Sequence, residues 1–144
     1  NFSFCWYQFY KFLFPYCLRW KIYFCDMEIF TILATIILNN NSRINRQLKG
    51  IDSYLQKWRN QIINQKIKGI NAMSISEITG IPRPTVVRKI QILTKNKFIS
   101  LDKNKLINFD VSNKNFNQMT KKQDENLRSI NDFIKRTFNQ INLN

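Results

Sequence analysis

Histidine is absent from the 144 residues. That removes most zinc sites, most general-base mechanisms and every Ser-His or Cys-His nucleophile. With three glycines and three prolines in the whole chain, there is no room for a Gly-rich phosphate loop of either common type. Cysteine is scarce and odd in number: Cys5, Cys17 and Cys25, without C-x-x-C spacing. This argues against a disulfide framework and a zinc ribbon, and fits free thiols in a reducing cytoplasm, a redox-sensing pair being the alternative. The longest stretch without charge, Ile29 to Ser42, is too short to span a bilayer and ends in Asn39-Asn40-Asn41. A signal peptide is a poor fit, since no charged region precedes Phe2 and no small-residue cleavage site follows. The expectation is a cytoplasmic protein that is not an enzyme and carries no metal and no cofactor.

Acidic residues are also few, nine against twenty-three Lys and Arg, for a formal charge of +14. An excess of that size calls for an anionic partner. It is unevenly spread. Between Lys57 and Lys105 eleven basic residues face only Glu77 and Asp102. Upstream, thirteen of the twenty aromatic residues fall within residues 1–30. An aromatic head therefore precedes a basic middle, and an Asn-rich, nearly balanced tail follows from residue 110.

What is abundant is helical periodicity. Phe9, Phe12, Tyr16, Trp20 and Tyr23 recur at helical spacing, with Pro15 placed to kink the segment or start a turn. Asp26 is a good N-cap for a helix over Met27–Leu38 that buries Ile29, Leu33, Ile36 and Ile37, and the three asparagines should break it. Ile44, Leu48, Ile51, Leu55, Trp58 and Ile62 then step by alternate fours and threes, a heptad seam that reads as core. This connecting helix, within residues 41–69, should end near Lys68 with Gly69 past its C-terminus.

The most specific segment runs from Met73 to Leu93. Ser74 and Glu77 have capping-box spacing, and Met73 and Ile78 are placed for a hydrophobic staple. Gly80 can end this short helix at φ > 0. Pro82 and Pro84 sit where a second helix can begin, because its first N–H groups lack intrahelical partners. Val86, Ile90 and Leu93 would face inward, leaving Arg83, Thr85, Arg88 and Lys89 on the opposite face. Two helices about a Gly turn, the second basic at its N-terminal end, make a helix-turn-helix suited to phosphate and to the major groove. A solvated αα-hairpin is the alternative, and the coincidence of cap, staple, turn and basic face in one window favours the DNA-binding form. Downstream, Phe98–Leu101 and Leu106–Phe109 are short strand candidates. The turn between them, Asp102-Lys103-Asn104-Lys105, would make a hairpin with basic and amide residues at its tip.

Residues 70–109 resemble the winged helix-turn-helix of bacterial transcription regulators, and the long flanking helices are similar in arrangement to the MarR-type family. The resemblance implies a homodimer paired through N- and C-terminal helices, with two recognition helices, residues 83–95, in successive major grooves of double-stranded DNA. Carried over residue by residue, it places Arg83, Pro84, Thr85 and Arg88 at base- and phosphate-contacting positions, and Lys103, Asn104 and Lys105 at the wing tip. The residues name no small-molecule effector.

The expected fold is thus mainly α: a winged helix-turn-helix over 70–110 with a short β-hairpin wing. An aromatic helical segment (1–40) and a C-terminal amphipathic helix (111–144) flank it as dimerisation elements. In the tail, Phe116, Met119, Leu127, Ile130, Ile134, Phe138 and Ile141 recur at helical steps. Neither this stripe nor Phe9, Phe12, Tyr16 and Trp20 has an obvious partner within so small a chain, which argues for two-fold pairing. The alternative is a basic peripheral membrane or protein-interaction module that uses the aromatic segment, because Trp, Tyr and Lys favour the membrane interface. A membrane partner is disfavoured, since lipid requires no Gly80–Pro82 turn.

Overall fold

The computed structural model describes residues 2–41, 68–112 and 114–141. The connecting helix expected between residues 41 and 69, with its heptad seam, lies outside the described residues. Those described form five helices and one two-stranded antiparallel sheet, so the fold is mainly helical. The chain divides into two compact units, residues 27–116 and a pair of terminal segments, 1–26 with 117–144.

The central unit begins with α1, here the helix Met27–Asn41, with Glu28 in its first turn, where a negative side chain suits the helix dipole. Ile29, Ile32, Leu33, Ile36 and Asn40 are buried along one face. The three asparagines do not break this helix, contrary to expectation. Asn40 is fully buried yet satisfied: its Nδ2 donates to Asn108 Oδ1 at 3.1 Å, and its Oδ1 accepts the Phe109 N–H at 3.1 Å. The last turn holds because its amide closes onto a strand. Asn39 Nδ2 likewise donates to the Lys68 carbonyl.

Gly69 lies against the backbone of the hairpin. A Cβ there would stand 2.6 Å from the Ile107 carbonyl oxygen, so only glycine lets the backbone approach. The approach allows Ile70 and Ile107 to exchange both backbone hydrogen bonds, at 3.0 and 2.8 Å. The next helix, α2 (Ala72–Thr79), starts at an Asn71 N-cap, whose side chain accepts the Ser74 N–H at 2.8 Å. The expected Ser74–Glu77 capping box and Met73–Ile78 staple are therefore absent. With the start moved to Asn71, Ile75 points into the core while Met73 and Ile78 are exposed.

The helix α3 (Arg83–Lys95) buries Val86, Ile90 and Leu93 as its periodicity requires. Strands β1 (Ile99–Leu101) and β2 (Ile107–Phe109) pair in the register Ile99↔Phe109 and Leu101↔Ile107. Ile99, Ile107 and Phe109 turn inward with Val111 to complete one core with Ile32, Leu33, Ile36 and Ile75. Each such aliphatic or aromatic side chain contributes about 1.5–3 kcal/mol by leaving water.

The other unit pairs α4 (Phe2–Phe24) antiparallel with α5 (Lys114–Ile141) from Asn117 onward. Pro15 starts no turn: α4 runs through it as one helix. Phe9 and Phe12 pack on Phe133, with ring centroids at 6.2 and 5.8 Å. Arg19 Nε donates to the buried Asn126 Oδ1 at 2.8 Å, and Tyr23 Oη reaches Gln118. Burial pushes the Tyr23 phenol above its ordinary pKa.

This pairing corrects the expectation that Phe9, Phe12, Tyr16 and Trp20 lack a partner within the chain. Of the expected stripe on α5, Met119 is buried, while Leu127, Ile134 and Phe138 stay exposed; Asn126 and Phe133, outside that stripe, face α4 instead. A different row is uncovered on α4: Phe2, Trp6, Tyr7, Tyr10, Phe14, Leu18 and Ile22. Among the described residues no single helix is long and apolar enough to cross a membrane.

Candidate nucleic-acid interface

The connection between α2 and α3 is built to fix one angle. Gly80 takes φ 71°, and its N–H closes on the Ser76 carbonyl at 2.9 Å, a left-handed helix end that a residue with Cβ adopts only under strain. Ser76 Oγ donates across the turn to the Ile81 carbonyl at 2.7 Å, and Thr79 Oγ1 accepts the Ile81 N–H at 3.3 Å. Two hydroxyls and one glycine thus hold the three residues between the helices.

The start of α3 differs from that of α2. Pro82 occupies the N-cap with no side-chain cap hydrogen bond, and Pro84 sits in the first turn. The positive end of this helix dipole is left without a capping side chain, the condition under which a helix terminus accepts an anion. No acidic residue lies anywhere in α3.

Arg83, Pro84 and Arg88 are exposed together on one side of α3, as the sequence predicts. Thr85 is half-buried at its edge. Lys89, placed on the same face by the sequence reading, is instead buried, with its ammonium 3.5 Å from Glu28 Oε2 of α1. It lies three residues after Val86 and four before Leu93, which puts it in their inward row, and its aliphatic stem covers core while its head reaches a carboxylate.

The sequence reading missed Val87, Gln91 and Lys95, which are all exposed. Successive steps of four from Arg83 reach each of them, and Arg88 stands three before Gln91. Following the helical row forward from Arg83 would have found them. The exposed residues of α3 are therefore Arg83, Pro84, Val87, Arg88, Gln91, Ile92, Thr94 and Lys95, of which Arg83, Val87, Gln91 and Lys95 form one row with Pro84 and Arg88 beside it.

At the far end of the hairpin, Asp102 shapes the tip. Its Oδ1 accepts the N–H groups of Asn104 and Leu106, both at 2.8 Å, and its carbonyl accepts the Lys105 N–H at 2.9 Å. Lys105 takes φ 59°, a left-handed conformation that costs a non-glycine residue about 1–2 kcal/mol. Lys103, Asn104 and Lys105 all project into solvent. The lone acid of this turn is thus engaged with backbone, leaving the tip basic.

Among the described residues no three His, Cys, Asp or Glu side chains group as metal ligands. Comparison with protein-family models, with curated proteins and with solved structures finds no match to the chain.

Proposed function

We propose that the chain is a dimeric, sequence-specific double-stranded-DNA-binding regulator of the winged helix-turn-helix type, with α3 as the recognition helix. The observation that carries the proposal is the solvent face of α3. It bears two arginines, one glutamine and one lysine with no acid among them, behind an uncapped positive helix end. A helix so furnished offers donors to phosphate and bidentate partners to base edges in the groove that admits a helix.

The order of elements supports the same reading. Helix α1, the Ile70 bridge, α2, the Gly80 turn, α3 and the β1–β2 hairpin follow one another in the order that a helix-turn-helix with a wing would have. In this role Lys103, Asn104 and Lys105 meet the phosphates beside the groove. Lys89 takes no part, being engaged with α1.

Two-fold pairing is the remaining element of the proposal. It rests on the uncovered apolar row of α4 and on Leu127, Ile134 and Phe138 of α5, an apolar exposure large for a soluble monomer. Two-fold binding by such a dimer calls for half-sites about one DNA turn, ~34 Å, apart.

Selection of bound duplexes from a random pool tests the reading. It predicts enrichment of a two-fold-symmetric motif; a pool that returns unenriched after repeated rounds overturns it.

A further inference from the structure

We infer that Gln91, with Val87 one turn before it, is the part of α3 that reads sequence without charge, and that it selects an A·T pair in each half-site. The inference rests on the DNA-binding role of α3 proposed above and assigns base chemistry to two of its exposed residues.

The row Arg83, Val87, Gln91, Lys95 advances four residues at a time, about 6 Å of helix axis per step. Its two ends are cations, which serve a phosphate as readily as a base. Its two middle members are not. Val87, 40% exposed in an otherwise polar row, gains nothing from phosphate. The one apolar group that the major groove presents is the C5-methyl of thymine.

The Gln91 amide carries both a donor and an acceptor. Phosphate oxygens only accept, so they leave its carbonyl unused. The adenine edge presents N6–H to that carbonyl and N7 to the amide N–H, a two-bond match that guanine, with O6 and N7 both acceptors, refuses. Adenine and the thymine methyl lie on the same or adjacent base pairs, and Gln91 and Val87 lie on adjacent turns of one helix face.

Arg88, three residues before Gln91, is the nearest cation on that face. Its fork can grip guanine O6 and N7 or bind a phosphate. The half-site this face fits therefore carries an adenine that Gln91 reads, and a cation contact from Arg88 beside it.

The test uses the full chain and the duplex obtained by selection, with every base pair of one half-site substituted in turn. Wild type, Gln91→Ala, Gln91→Arg and Val87→Ala are titrated with this panel at two salt concentrations, and their thermal unfolding is compared. At one adenine position, Gln91→Ala loses about tenfold of the preference over guanine, with the salt dependence unchanged. Gln91→Arg moves the preference at that position to guanine while binding is kept. Val87→Ala lowers discrimination between thymine and uracil at its position, since uracil lacks only the methyl.

A wild type that reads bases selectively, with a profile that Gln91→Ala and Gln91→Arg leave unaltered, overturns this inference and leaves the DNA reading standing. A wild type that binds no duplex overturns both.

Discussion

Lys89 Nζ lies 3.5 Å from Glu28 Oε2, joining the inward side of α3 to the first turn of α1. Glu28 keeps half its side-chain surface in water while that of Lys89 is 11% exposed. The pair is therefore partly screened, and its worth is nearer that of a surface ion pair than of a buried one. Lys89→Met keeps the aliphatic stem and is expected to cost about 1 kcal/mol of stability at most. It leaves duplex affinity nearly unchanged. Arg88→Ala, one residue away and exposed, is expected to leave stability unchanged and cost about 1–3 kcal/mol of binding with relaxed base preference. Paired denaturation and binding curves for the two variants check the division.

Asn40 is the polar tie between α1 and β2. Asn40→Ala strips the Phe109 N–H of its acceptor and leaves the Asn108 Oδ1 without its donor. One buried N–H and one half-buried amide oxygen then lose these bonds, for a loss of about 1–3 kcal/mol. Chemical denaturation should show this loss with the slope unchanged.

At the hairpin tip, Lys103→Ala and Lys105→Ala should weaken all duplexes about equally, and each should reduce the salt slope by about 1. Asp102→Ala removes the acceptor of two backbone N–H groups and costs about 1 kcal/mol of stability. Because it frees the tip, it should lower affinity even though it removes a negative charge. A gain in affinity on losing Asp102 would show that charge alone governs the wing.

The exposed row of α4 bears on assembly. Tyr10→Lys with Phe14→Lys alters two side chains that are uncovered within the chain, so unfolding is expected to change little. A dimer paired through this row becomes a monomer by sedimentation, and its binding to the two-fold site falls to that of a half-site. Wild type that sediments as a monomer and co-floats with anionic vesicles would assign the row to lipid instead.

Much of the α2–α3 turn and of the hairpin was legible because local chemistry fixes it. Gly80, Pro82 and Pro84 set the turn and the start of α3 by backbone constraint, and Asp102 with its neighbours set the hairpin. What the sequence misplaced depended on contacts distant along the chain. Asn39 to Asn41 look like a helix stop until Asn108 and Phe109 supply partners for Asn40. Asn71 and Ser74 are both good caps, and burial of Ile75 and pairing of Ile70 decide between them. Lys89 reads as solvent-facing by its charge, while its row with Val86 and Leu93 turns it inward. The aromatic stripe of α4 found its cover in α5, more than a hundred residues away, through Phe133 and Asn126.

Affinity for a labelled duplex, measured across a salt series, tests DNA binding most directly. If roughly six phosphates are neutralised per dimer, the logarithm of the association constant falls with the logarithm of salt at a slope near −5. Lys103→Ala and Lys105→Ala each make that slope shallower, while Arg83→Ala and Arg88→Ala lower the affinity. A titration that is flat between low and physiological salt, or that responds to none of these substitutions, would contradict the account.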